Sequence, residues 1–319
     1  MAGSAHETGQ DATGLHRDQI HGLLWGFLGV ASFSLTLPAT RLAVEALDPL
    51  FVAYGRALIA AMLAGLLLLV NRSPRPCLAD WKRLAVVSAG VVIGFPLFIS
   101  IAMVSVPASH GAIVIGLLPL TTAAAGCVFA GERPAPAFWG TSSLGAGLVI
   151  GFALMHGAGR LMWGDLSLIG AVVAGSVGYA QGGAVAGRLG GWQVICWALV
   201  LALPPLAAAA VFITWPASGH IPLQAWAGFA YVTLVSQLAG MFAWYRGLAL
   251  GGIARVSQTQ FLQLFLTLLA SSALLGEHID AQTLAFGAVI TGLVAFGARQ
   301  RIQKPRHILT PPNGRSSGQ

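Results

Sequence analysis

The chain has 319 residues, of which 56% are hydrophobic and only 8% charged, and its mean hydropathy is +0.78. Soluble domains carry about 25% charged residues, so this chain cannot cover a water-facing surface, which excludes a soluble enzyme and a nucleic-acid-binding protein. The formal charge of +7 is concentrated in two short basic stretches, Arg72 to Arg83 and Arg299 to Arg306, which read as topology signals and lipid-headgroup contacts.

A hydrocarbon core of ~30 Å needs about 20 apolar residues per helix. The first twenty residues are polar and carry Glu7, Asp11 and Asp18, unlike a secretory leader. From there, apolar runs bounded by breakers predict ten spans: Ile20–Pro38, Pro49–Val70, Leu84–Val104, Ala108–Ala130, Ala137–Met155, Trp163–Val185, Trp192–Ile213, Ala225–Gly247, Ile253–Leu275 and Thr283–Ala298. Asp48-Pro49, the Asn71–Pro76 stretch, Val106-Pro107, Arg133–Pro136 and Trp215-Pro216 separate them through charge, turn chemistry and missing N–H groups. Trp25, Trp81, Trp139, Trp163, Trp192, Trp215 and Trp226 fall near predicted ends, as an aromatic belt at headgroup level does.

With the N-terminus inside, the inner segments hold Arg17, Arg72, Arg75, Lys82, Arg83, Arg133, Arg188, Arg255, Arg299, Arg301, Lys304, Arg306 and Arg315, against Arg41 and Arg160 outside. That imbalance obeys the positive-inside rule and predicts cytoplasmic termini. Cys77, Cys127 and Cys196 are scattered, without zinc or disulfide spacing, and no cofactor is expected.

Gly131-Glu132 recurs as Gly276-Glu277, an offset of 145 residues that also lays Gly147 on Gly292 and Thr122 on Thr267. The expected fold is an all-α membrane protein of ten transmembrane helices in two five-helix repeats. An odd count inverts the second repeat relative to the first, a signature of secondary transporters with a substrate site near mid-membrane. Four segments follow: a cytoplasmic tail (1–19), the first repeat (20–155), the second repeat (163–298) and a basic cytoplasmic tail (299–319). With Gly-Glu closing the fourth and ninth spans and a glycine-rich span after each, the chain resembles the drug/metabolite transporter superfamily, specifically its EamA-like members. The resemblance implies a bacterial inner-membrane carrier, commonly an exporter of amino acids, metabolites or drugs, with the third, fourth, eighth and ninth spans lining its cavity. The partners expected are a small-molecule substrate and the lipid bilayer, with a homodimer left open.

No acidic residue lies at the centre of a predicted span, so the sequence offers no obvious intramembrane proton relay. Arg56 is the exception among charges, ~10 Å into the second span. Its side chain either snorkels to the outer headgroups or binds a carboxylate or phosphate of the substrate. Arg246, near an inner end, reads as snorkelling. On the ninth span Ser257, Gln260, Gln263, Thr267 and Ser271 form a polar face that must look into the bundle or a wet cavity, as helix–helix glue or as cavity lining. Gln237 and Tyr179 belong to the same class, and Arg56, Tyr179, Gln237, Gln260 and Gln263 form the candidate substrate site. Glu132 and Glu277 are expected to complement the positive end of the next helix, with a gating ion pair as the other reading. Pro96 and Pro119 mark mid-span breaks, as kinks or hinges. No catalytic or metal motif appears; a channel and an intramembrane enzyme are the alternatives to a carrier.

Overall fold

A computed structural model of the chain describes residues 4–155, 163–216, 221–277 and scattered positions from 281 to 303. Eight helices among the described residues are long and apolar enough to cross a membrane: α1 (Arg17–Val44), α2 (Pro49–Val70), α3 (Leu78–Ser105), α4 (Ala108–Ala130), α6 (Trp163–Leu189), α7 (Gly191–Phe212), α8 (Leu223–Gly251) and α9 (Ile253–Leu275). Between α4 and α6 runs α5 (Pro136–Met155), a helix of 20 residues. Most of the expected tenth span, Thr283–Ala298, lies outside the described residues; the positions described within it, 285, 288, 289, 292, 293 and 296, are helical. A two-residue antiparallel pairing of Arg133–Pro134 with Ile302–Gln303 is the one departure from an all-α fold among the described residues.

Local chemistry sets the ends. Asp48 caps α2 by accepting from the backbone N–H groups of Leu50 and Phe51 at 2.8 and 3.1 Å, with Pro49 pre-set for the first helical position. Helices α2, α4 and α9 start and stop where the hydropathy placed them. By contrast α3 begins at Leu78 instead of Leu84, because its polar first turns stay helical. There Asp80 pairs with Arg188 at the end of α6, and Arg83 donates to Gln181 Oε1 at 2.9 Å. At the opposite end of α6, Asp165 lies 2.7 Å from His110 Nε2 of α4. Hydropathy marks where lipid contact stops; these helices run on into the interface.

Leu24, Met62, Leu66, Leu69, Val173 and Leu234 are exposed on the outside, whereas Ala57, Ala60, Ala61 and Ala64 of α2 are fully buried. An apolar exterior over a small-residue interior is the packing that lipid favours. The glycine pairs Gly22/Gly26 and Gly247/Gly251 meet each other where α1 crosses α8: a Cβ on Gly247 would lie 2.6 Å from the Gly26 nitrogen and 2.9 Å from the Gly22 carbonyl. Gly147/Gly151, of the same spacing, have no described atom within 4 Å of where a Cβ would lie.

The 145-residue offset has structural counterparts. Gly131 (φ 67°, ψ 21°) and Gly276 (φ 68°, ψ 18°) end α4 and α9 in the same left-handed conformation. A wide, π-type stretch at Ser88–Gly94 of α3 matches one at Tyr231–Ala239 of α8. The paired glutamates each bond the N-terminus of a helix in the other repeat. Glu132 accepts from the N–H groups of Ile253 and Ala254 at 2.7 and 2.6 Å, capping α9. Glu277 accepts from Ser109 N at 3.1 Å, capping α4. The left-handed glycine turns each carboxylate across the bundle toward the other repeat. Helices α4 and α9 therefore run antiparallel, the C-terminus of each closing the N-terminus of the other.

Replacing Glu132 with Gln removes the charge from two charge-assisted bonds and is expected to cost about 1.5–3 kcal/mol. The loss reads as a lower Tm in detergent, with a smaller fall for Glu277→Gln, which gives up one longer bond; equal losses contradict this. Gly247→Val is expected to cost about 1–3 kcal/mol by overpacking, and Gly147→Val to leave the Tm unchanged.

Candidate functional site

Arg56 does not snorkel. Its side chain turns inward from α2 and is 2% exposed. Nη2 donates to Gln237 Oε1 at 2.9 Å and to Ser236 Oγ at 3.3 Å, both on the wide stretch of α8. Ser236 Oγ in turn lies 2.9 Å from Thr36 Oγ1 of α1. Arg56 Nε and Nη1 and Gln237 Nε2 are buried and have no hydrogen-bond partner among the described residues. A π-type stretch turns side chains out of α-helical register, and such stretches concentrate at functional sites.

These atoms border a cavity lined by Phe33, Thr36, Leu37, Arg56, Val91, Phe95, Ile115, Tyr179, Ser236, Gln237, Met241 and Gln263. About 20 Å³ is open to the centre of a water molecule, room for roughly one water. Beside it, Tyr179 stacks on Phe33 with ring centroids 6.4 Å apart and meets the buried Trp244 edge-on at 5.4 Å.

The structure thus brings Arg56, Tyr179, Gln237 and Gln263 to one cavity. Gln260, nearly a turn earlier on α9, is buried with both amide atoms unpartnered but is not among the residues lining that space. Ser257, Gln260, Gln263, Thr267 and Ser271 are all buried, so the polar face of α9 looks into the bundle. The lining is wider than the third, fourth, eighth and ninth spans: α1, α2 and α6 contribute as well. Phe33, Thr36 and Ser236 were not singled out from the sequence, although Thr36 and Thr40 are polar residues one turn apart in an apolar run and Ser236 adjoins Gln237.

The two repeats contribute unequally. Shifted by 145 positions, Ser236, Gln237, Gln260 and Gln263 fall on Val91, Val92, Ile115 and Leu118. At these four positions the second repeat is polar and the first apolar, while Arg56 and Thr36 of the first repeat also line the cavity.

The remaining candidates lie apart from the cavity or shape its walls. Glu132 and Glu277 sit at helix ends. Pro96 is buried just beyond the wide stretch of α3, but α8 forms the same stretch with Met241 in that position, so proline is not its cause. Pro119 opens the second half of α4 after a break at Gly116–Leu117, and its carbonyl accepts from Ser257 Oγ of α9 at 3.3 Å. Arg246 is exposed and faces a space at the helix ends with Trp25 and Trp192, as a snorkelling side chain would.

Comparison with known proteins agrees with the duplicated architecture. The EamA-like transporter family matches residues 20–156 and again residues 162–297. The chain belongs to that family. It is 46% identical over 279 residues to the "Uncharacterized transporter YdeK" of Bacillus subtilis (strain 168), covering 88% of this chain and 97% of that protein. A solved crystal structure of another protein shares the fold at TM-score 0.63 and 18% identity, over 87% of this chain and 94% of that one. This EamA-like transporter is a multi-pass membrane protein.

Within it, Gln237→Leu takes away one of the oxygens that hold the buried guanidinium. The expected cost is about 1.5–3 kcal/mol, as for a hydrogen bond to a charged group, measured as a lower Tm of the solubilised protein. A variant as stable as the parent would show that the contact contributes nothing.

Proposed function

We propose that the chain is a secondary transporter that moves a small metabolite or drug-like solute across the bacterial inner membrane by alternating access, in the direction of efflux. The observation that carries this reading is a set of buried polar atoms without partners, on Arg56, Gln237 and Gln263, converging on one cavity between helices of both repeats. Such atoms are costly in lipid unless something completes their hydrogen bonding. A solute held at mid-membrane would do so. The reading includes ten spans as two inverted five-helix repeats, with both termini cytoplasmic; the antiparallel α4–α9 pair and the distribution of Arg and Lys support it. The small cavity suits an occluded stage of a carrier better than an open pore.

Purified protein in liposomes, assayed against a metabolite panel with and without a pH gradient, is expected to give saturable transport. Gln263→Ala should weaken the apparent affinity by about 2–10-fold, the worth of one neutral hydrogen bond. Flux that rises linearly without saturation, or no flux of any solute, would contradict the carrier.

A further inference from the structure

The geometry points to a substrate class for this site: a monocarboxylate with an apolar body, its carboxylate seated on Arg56. This inference rests on the cavity being the solute site proposed above.

Arginine does not give up its proton in proteins, so the 2%-exposed guanidinium brings a full positive charge into the bundle. A buried charge needs a counter-charge. The protein atoms bonded to it, Gln237 Oε1 and Ser236 Oγ, are neutral. The acids that reach the bundle are engaged elsewhere: Asp80 with Arg188 and Asp165 with His110, and Glu132 and Glu277 on helix N-termini. Residues 137–155 and 283–298 contain no Asp or Glu. Among the described residues, then, no carboxylate is bonded to this guanidinium, and a ligand can supply one.

The stoichiometry of charge narrows the ligand. Arg56 is the sole cation among the lining residues, so one negative charge neutralises the site, whereas a phosphate dianion would leave a negative charge in the bundle. The unpartnered atoms of the lining residues are three donors, Arg56 Nε and Nη1 and Gln237 Nε2, and one acceptor, Gln263 Oε1; a carboxylate accepts from the donors and an ammonium cannot. With no lining acid, a cationic group on the solute has no ionic partner. The rest of the wall, including Val91, Phe95, Ile115 and Met241, matches an aliphatic or aromatic body.

The test uses the full chain in detergent and in liposomes. Straight-chain and phenyl-substituted monocarboxylates of graded length are compared with their amides, the corresponding amines and phenyl phosphate, by ligand-dependent rise in Tm. The expected result is stabilisation by carboxylates of some length and by none of the matched amides or amines. Arg56→Gln should weaken carboxylate binding by about tenfold or more, the scale of a charged hydrogen bond, and Arg56→Lys should keep the preference for carboxylates at lower affinity. If Arg56→Gln does not fold, the Lys variant and the parent's ligand preference decide the matter. Equal stabilisation by amides or amines, a preference for phenyl phosphate, no response to any carboxylate, or loss of the preference in a folded Lys variant would overturn the assignment. In liposomes the two readings separate. Carboxylate binding dependent on Arg56 without uptake removes the carrier and keeps the ligand class, whereas saturable uptake of neutral or cationic solutes, unaffected by Arg56→Gln, removes the class and keeps the carrier.

Discussion

A guanidinium held inside a helix bundle by neutral oxygens alone is the constraint on which the interior of this protein turns. Lipid offers no water to solvate a polar group, so each must be satisfied by protein, by trapped water or by a ligand. At the helix ends the requirement is met inside the chain: Asp48 caps α2, and Glu132 and Glu277 cap the helices of opposite repeats. Around Arg56 it is met only in part, because Gln237 and Ser236 occupy one nitrogen while Nε and Nη1 stay open.

The scaffold is duplicated and the site is not. Left-handed glycines close α4 and α9 alike, and wide turns recur in α3 and α8 at matching positions. On that repeated frame, the second copy carries Ser236, Gln237, Gln260 and Gln263 where the first carries Val91, Val92, Ile115 and Leu118. Duplication yields a bundle whose halves can pack against each other; divergence then places polar side chains on α8 and α9 where α3 and α4 carry apolar ones. The reciprocal glutamate caps tie α4 to α9 at both ends, so movement of either helix is coupled to the other.

Much of this was legible in the residues. Helices α2, α4 and α9 begin and end where apolar runs meet Pro, Gly or charge, and the Gly-Glu recurrence located the ends at which the repeats clasp. The polar face of α9 was visible because glutamine facing lipid is costly, and Arg56 and Gln237 stood out for the same reason. What the sequence could not convey is direction across the bundle. Whether Arg56 reaches outward or inward depends on Ser236 and Gln237 lying opposite it, 180 residues further along. Whether Glu132 serves the next helix or a distant one depends on how the left-handed Gly131 turns the chain. An aromatic residue such as Phe33 has no periodic signature in an apolar run, whereas Thr36 and Thr40, one turn apart, do offer a weak one; the wide turns of α3 and α8 have no marker common to both copies.

The most direct test of the central claim, a polar crevice around Arg56 that faces each side of the membrane in turn, is thiol accessibility. Ser236→Cys would be introduced into a chain whose Cys77, Cys127 and Cys196 are replaced by Ser, and a membrane-impermeant thiol reagent applied to sealed vesicles from one side and then the other. The account predicts labelling from both faces, slow because the small cavity must open first. A cysteine at this position that is inert from both sides, in protein shown to be folded, would mean that the cavity never meets water and that the buried guanidinium serves packing alone.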